Sequence, residues 1–137
     1  MRILSIDYGK KRTGLAVTDP LQIIAGGLGT VETSVLYEYI EAYIQREQVE
    51  RIVIGKPMQP NGQPSENMVR VENFYNRWRK AHPEIPIEYY DERFTSVLAH
   101  RAMIDGGVKK KTRRENKCLV DEISATIILQ DYLQSRK

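Results

Sequence analysis

The sequence of 137 residues is 41% hydrophobic and 28% charged, with a net charge of +3 and one cysteine. This composition argues against a disordered chain and an internal disulfide, and the length is that of one domain, which we expect to span residues 1–137. The chain has neither an apolar segment of roughly 20 residues, as a membrane span needs, nor a secretory signal pattern, so we expect a soluble, cytoplasmic protein.

Hydrophobic periodicity and turn residues predict alternating strands and helices along the chain. The first predicted elements are three strands, over 2–7, 13–19 and about 27–33, followed by a helix over about 35–48 that is capped by Ser34. A strand over 51–57 and a helix capped by Ser65 that ends near Ala81 come next. The last predicted elements are a strand over 85–92, a helix over 97–104 and a helix from about Asn116 to Leu133. Glycines 26, 27 and 29 in the third strand are typical of a bulge or a sheet edge.

This order of elements predicts the fold class. Three consecutive strands with short connections form antiparallel pairs, and later strands that follow helices lie parallel to the first. We therefore expect an α/β fold of the ribonuclease H-like type, with a mixed five-stranded sheet flanked by helices.

Acidic residues stand where predicted strands end. Asp7 ends the first strand, Asp91 and Glu92 end the last, and Asp121 lies near the start of the last helix, on the face that we expect to point inward. Its neighbour Glu122 is expected to point outward. Asp121 could also simply complement the helix dipole.

Strand ends at one edge of an α/β sheet are a usual place for ligands. If these acids meet at such an edge, their carboxylates repel each other unless divalent cations lie between them. Oxygen ligands favour Mg²⁺ or Mn²⁺. Two such ions are typical of phosphodiester hydrolysis.

Four segments of the sequence resemble, in order, the motifs of the YqgF family. They are DYGKKRTGLA, IVIGKP followed by NG, DERFTS, and KCLVDEISATIILQDYL, and the resemblance runs from residue 2 to about 133. This family consists of small bacterial proteins with a ribonuclease H-like fold that are related to the Holliday junction resolvases.

The resemblance implies that Asp7, one acid of the DER triplet and Asp121 are the catalytic metal ligands. Asp91 and Glu92 should point to opposite faces of the strand. We favour Glu92, because its longer side chain tolerates a site slightly beyond the strand end, and keep Asp91 as the alternative.

Cations lie next to each of these acids. Lys11 and Arg12 follow Asp7, Arg93 follows Glu92, and Lys117 lies one turn before Asp121, so these four could contact phosphates. Arg93 could instead pair with a neighbouring acid. Whether the basic loop 106–115 becomes ordered on nucleic acid stays open.

The resemblance implies a nuclease that matures the 5′ end of the 16S rRNA precursor during ribosome biogenesis, or one that resolves four-way DNA junctions. A non-catalytic RNA-binding assembly factor is a further alternative. The DYGKKRTG segment is also similar to the phosphate hairpin of sugar kinases, but those enzymes use two such domains. A junction resolvase would act as a two-fold dimer, whereas an RNA nuclease could be a monomer.

Overall fold

The computed structural model describes residues 1–56, 66–91 and 117–135, with the backbone alone at Asp91, 117–121 and Ser135. Within these ranges the strands are Arg2–Asp7 (β1), Arg12–Thr18 (β2), Ala25–Glu32 (β3), Val49–Lys56 (β4) and Ile87–Asp91 (β5). The helices are Leu36–Arg46 (α1), Met68–Ala81 (α2) and Lys117–Ser135 (α3), and a 3₁₀ turn at Thr33–Val35 precedes α1. The predicted helix 97–104 and the predicted cap Ser65 lie outside the described residues.

The strands form one mixed sheet in the order β3-β2-β1-β4-β5. β2 is antiparallel to both β1 and β3, whereas β4 is parallel to β1 and β5 is parallel to β4. Parallel neighbours require a crossover, which α1 supplies before β4 and α2 before β5. The predicted mixed five-stranded sheet is therefore confirmed.

The helices cover both faces of this sheet. Alternating side chains of β1 point to opposite faces, so Leu4 and Ile6 pack under α1 and α2, whereas Ile3 packs under α3. The apolar stripe of α2 is buried, with Trp78 fully enclosed. Its members in the core are Met68, Val71, Phe74 and Trp78. None of the described helices is long and apolar enough to cross a membrane.

β3 is an edge strand that carries a bulge, as its glycines predict. Its pairing with β2 shifts where Leu15 faces Gly29 and Ala16 faces Gly27, and Gly29 has a φ of +140°. A φ in this range is strained for any residue with a Cβ atom, so glycine is required at this position.

The predicted helix cap at Ser34 is wrong. Ser34 lies inside the 3₁₀ turn, and α1 begins at Leu36 without a side-chain cap. The backbone N–H of Leu36 instead donates to the carbonyl of Thr33. The turn therefore satisfies a helix N–H that a cap residue would otherwise bind.

Candidate active site

The parallel strands β1, β4 and β5 all end at one edge of the sheet, which we call the carboxyl edge. β1 ends at Asp7 and β4 at Lys56. Ile6 is paired with Ile54, and Lys56 is paired with Asp91 at the end of β5. The strand-end acids that the sequence predicted thus follow strands that stop at nearly the same level.

Helix α3 crosses the other face of the sheet from β3 toward β5. Near its middle, the Ser5 hydroxyl donates a hydrogen bond of 2.6 Å to the carbonyl of Ala125. Near its end, the Tyr132 hydroxyl donates to Glu88 Oε2 at 2.8 Å, and Glu88 lies near the start of β5. Ser5 pairs with Val53 and Val53 with Glu88, so both contacts lie in one row across the sheet and α3 crosses the strands.

The start of α3 lies over the edge strand β3. Glu122, the first side chain of α3 that the structure describes, lies across Gly27. Gly27 pairs with Ala16 and Ala16 with Ser5, so the helix follows one row of the sheet from Glu122 to Ala125. The backbone of Asp121, one residue before Glu122, therefore lies on the β3 side of the sheet.

The predicted metal ligands are described to different extents. Asp7 is partly buried and makes contacts within the protein. Asp121 and Asp91 are described by their backbone alone, and Glu92 lies outside the described residues. Among the side chains that the structure describes, no group of three or more His, Cys, Asp or Glu could hold a metal ion. The assignment of ligands stays a prediction.

The backbone that follows Asp7 is held from two sides. The Asn67 side-chain amide at the start of α2 donates to the carbonyl of Tyr8 at 2.7 Å, and the Thr33 hydroxyl donates to the carbonyl of Gly9 at 2.7 Å. A Cβ atom on Gly9 would collide with the carbonyl oxygen of Arg12, so this tight turn requires glycine. These contacts fix the direction in which the chain leaves Asp7.

The hairpin between β1 and β2 presents a basic surface. Lys10 and Lys11 are exposed and Arg12 is partly buried. Together with Glu32 and Ser34 they line an open cavity of about 570 Å³. Of the other two predicted phosphate contacts, Arg93 lies outside the described residues, and Lys117 is the first residue of α3, described by its backbone alone.

Two residues near this edge were missed by the sequence analysis. Lys56 ends β4 between the two acid-ended strands, with its ammonium 5.9 Å from the centre of the Tyr89 ring. A cation directly after the apolar run 51–55 was the available signal. Ser5 is fully buried and fixes α3 on the sheet, and nothing in an apolar strand pattern marks such a serine.

Glu122 does not point outward as expected. Its side chain lies across Gly27 of β3, where a Cβ atom would approach Glu122 Cγ and Cδ to 2.8 Å. The absence of a side chain at Gly27 therefore leaves room for the first turns of α3 on the edge strand.

Comparison with known proteins decides the family. A family model described as RuvX, Holliday junction resolvase, matches residues 1–135. The chain belongs to this family. A relative from Phocaeicola vulgatus is 65% identical over 136 residues, which cover 99% of this chain and 97% of the relative. A relative from Bacteroides thetaiotaomicron is 60% identical over 136 residues, which cover 99% of this chain and 98% of the relative. Both of these relatives carry the name "Putative pre-16S rRNA nuclease".

Solved structures with the same fold include two resolvases bound to junction DNA. The fowlpox virus resolvase complex has a TM-score of 0.60 at 12% identity, covering 99% of both chains. The Thermus thermophilus RuvC complex has a TM-score of 0.59 at 16% identity, covering 99% of this chain and 96% of that one. At such identities the likeness shows the fold alone. The predicted family, ribonuclease H-like fold and hydrolytic nuclease class are confirmed by the family match and the relatives together.

Proposed function

We propose that this protein is a divalent-metal-dependent nuclease that matures the 5′ end of the 16S rRNA precursor in the cytoplasm, with residues 1–137 acting as one domain. The observation that carries this proposal is the match of residues 1–135 to the resolvase family, together with strands β1 and β5 that end at one edge of the sheet at Asp7 and Asp91. The choice of an rRNA precursor follows the name that the close relatives carry.

The proposed ligands are Asp7, Glu92 and Asp121. On β1 the side chain of Ser5 contacts α3, and Asp7 is two residues further, so alternation favours the α3 face for both. On β5 the side chain of Tyr90 packs toward α3, and Glu92 is two residues beyond it. The same alternation disfavours Asp91, which supports our choice within the triplet.

Carboxylate oxygens alone are the donor set that Mg²⁺ and Mn²⁺ prefer, so these acids fit such an ion and, with bound phosphate, a pair of ions. When bound, the metal would supply an activated water and charge stabilisation for the leaving oxygen. The protein's part is to hold Asp7 in place, through the hydrogen bonds that Asn67 and Thr33 make to the backbone following it.

Cations beside these acids would bind the flanking phosphates. Lys11 and Arg12 lie on the hairpin that follows Asp7, and we propose the same role for Arg93 and Lys117. Such phosphate contacts supply binding affinity without specificity for the base sequence. Binding should accordingly weaken steeply with salt.

Cleavage assays on two substrates test this function. We expect the wild-type protein with Mg²⁺ or Mn²⁺ to cut an RNA carrying the 5′ boundary of 16S rRNA, and Asp7→Asn to lose at least about 100-fold in rate, because metal-bound catalysis depends on that carboxylate. Asp131→Asn, toward the far end of α3, is the matched control and should cleave normally. Equal cleavage by wild type and Asp7→Asn would contradict the proposal.

A second candidate is a four-way DNA junction, which the family description favours. Symmetric resolution needs two active sites, so this activity predicts a two-fold dimer, which sedimentation would detect. Faster cleavage of a synthetic junction than of the RNA would make the junction the substrate. Tight RNA binding with Mg²⁺ and no cleavage would instead favour the non-catalytic assembly factor.

A further inference from the structure

A groove with basic and aromatic residues opens between α1 and α2, on the face of the sheet opposite α3. It has a volume of about 250 Å³ and begins at Tyr8, the residue after Asp7. Of the proposed metal ligands and phosphate contacts whose side chains the structure describes, Asp7, Lys11 and Arg12, none lines it. The charged side chains that do line it are Glu38, Arg70 and Arg77.

Arg77 presents a flat surface in this groove. Its guanidinium carbon lies over the Tyr37 ring, 3.6 Å from the ring centre, a distance typical of stacked planes. Tyr37 is itself fixed by edge-on contacts with Phe74 and Trp78. Arg77 is exposed, so the other side of its guanidinium faces the groove and solvent. Proteins that bind single-stranded RNA use such guanidinium planes to stack unpaired bases.

Arg70 lies at the end of the groove nearest Asp7. Its charge acts on the Tyr8 hydroxyl, lowering a pKa that burial of the hydroxyl raises. Within the described part of the chain Arg70 is exposed and makes no ion pair. A guanidinium without a carboxylate partner is well suited to a phosphate.

We propose that this groove binds one unpaired nucleotide next to the bond that is cleaved, with its phosphate on Arg70 and its base stacked on Arg77. The inference rests on the proposed function, since it assumes a nucleic-acid strand at the carboxyl edge. The groove is smaller than the roughly 300–1,000 Å³ of pockets for drug-sized ligands, which fits a single nucleoside. In a duplex the neighbouring pairs cover each base face, so the groove favours a single-stranded flank.

Fluorescence anisotropy with two labelled RNA hairpins tests this subsite, one blunt and one with a single-stranded 5′ tail. The Asp7→Asn background prevents cleavage. We expect Arg77→Ala to weaken binding of the tailed hairpin by about 5- to 100-fold, as for loss of one stacked base, and to leave the blunt hairpin unchanged. Arg77→Lys should weaken binding of the tailed hairpin nearly as much, because lysine keeps the positive charge but lacks the planar guanidinium group.

Further variants separate stacking from charge and from folding. Arg70→Ala should reduce the slope of the logarithm of the binding constant against the logarithm of the salt concentration by about 0.7 in magnitude, as expected for the loss of one phosphate contact to a single strand. Arg79→Ala is the matched control: Arg79 lies on the same helix, 5.4 Å from the Tyr75 ring, outside the groove, and should bind normally. Circular dichroism and the melting temperature of each variant confirm folding.

Full affinity in Arg77→Lys, or an equal loss for both hairpins, would overturn this subsite. If the wild type cleaves the tailed RNA while Arg77→Ala binds it normally, the subsite alone fails and the nuclease proposal stands. If the wild type neither binds nor cleaves any RNA or junction, both fail.

Discussion

At the scale of single residues, buried polar groups set the geometry of the candidate site. Ser5 is fully buried in the central strand, and its hydroxyl is the donor that ties α3 to β1. Thr33 joins two segments in a similar way, since its hydroxyl lies 2.9 Å from that of Thr13 and donates to Gly9. Small hydroxyl side chains therefore hold the elements that carry Asp7 and Asp121.

Ser5→Ala should cost about 1 kcal/mol of unfolding free energy, the usual net value of one hydrogen bond. The substitution hardly changes side-chain volume, so packing is kept. Urea denaturation measures the change, with an unaltered m-value as the sign that the transition is still two-state. Ser34→Ala, at an exposed position, is the control and should match the wild type. An unchanged midpoint for Ser5→Ala would show that the hydrogen bond contributes nothing.

At the scale of elements, α3 is positioned by contacts at both of its ends. Toward its end, the Tyr132 hydroxyl and Arg51 Nη1 both bind the carboxylate of Glu88, at 2.8 Å each. Near its start, Glu122 fills the space above Gly27 on the edge strand. The path of α3 across the sheet therefore depends on strands that are distant in sequence.

Gly27→Ala should make the protein about 1 kcal/mol less stable than Gly26→Ala, a small overpacking cost because the Glu122 side chain can move. Gly26 is the matched control, since a Cβ atom there meets nothing closer than a carbonyl oxygen at 4.0 Å. Both variants share the same gain from a less flexible unfolded chain. Thermal unfolding measures the difference.

The Glu122→Ala background tests the cause of that difference. Removing the carboxylate should make the two alanine variants equally stable, as a double-mutant cycle for residues in contact requires. A difference that persists without Glu122 would mean that the cost arises elsewhere on β3.

At the scale of the whole molecule, the mixed sheet and the apolar face of α2 were predictable, because the apolar run of β1 and the helical spacing in α2 indicate burial directly. Contacts between segments that are distant along the chain produce no such periodic pattern in the sequence. The position of Glu122 depends on a glycine in another element, and the 3₁₀ turn replaced the cap expected at Ser34. The strand-end position of Asp7 was predictable, whereas the path of α3 across the sheet depends on contacts of Ser5 and Gly27 that the sequence pattern does not mark.

Alkaline pH should destabilise the whole fold. Burial is the main cause that raises the pKa of several tyrosines above the ordinary 10.0, so the folded protein holds their protons more tightly than the unfolded chain. These residues are Tyr8, Tyr37, Tyr43, Tyr89 and Tyr132. Their contribution to the free energy of unfolding is complete below about pH 10, the pKa in the unfolded chain, and is lost as the pH rises through the higher pKa values of the folded protein.

Urea denaturation between pH 8 and 11.5 measures this effect. We expect a flat unfolding free energy up to about pH 10 and a steady fall above it, with a shallower fall in Tyr132→Phe because one titrating group is removed. A stability that stays constant to pH 11.5 would contradict the assignment.

Electron paramagnetic resonance of Mn²⁺ tests most directly whether Asp7, Glu92 and Asp121 hold a cation together. A titration of the wild type should show bound Mn²⁺, and Asp7→Asn, Glu92→Gln and Asp121→Asn should each lose at least about 10-fold in affinity, because each removes a charged oxygen ligand. Asp91→Asn and Asp131→Asn should bind like the wild type. Unchanged Mn²⁺ affinity in the first three variants would contradict the account.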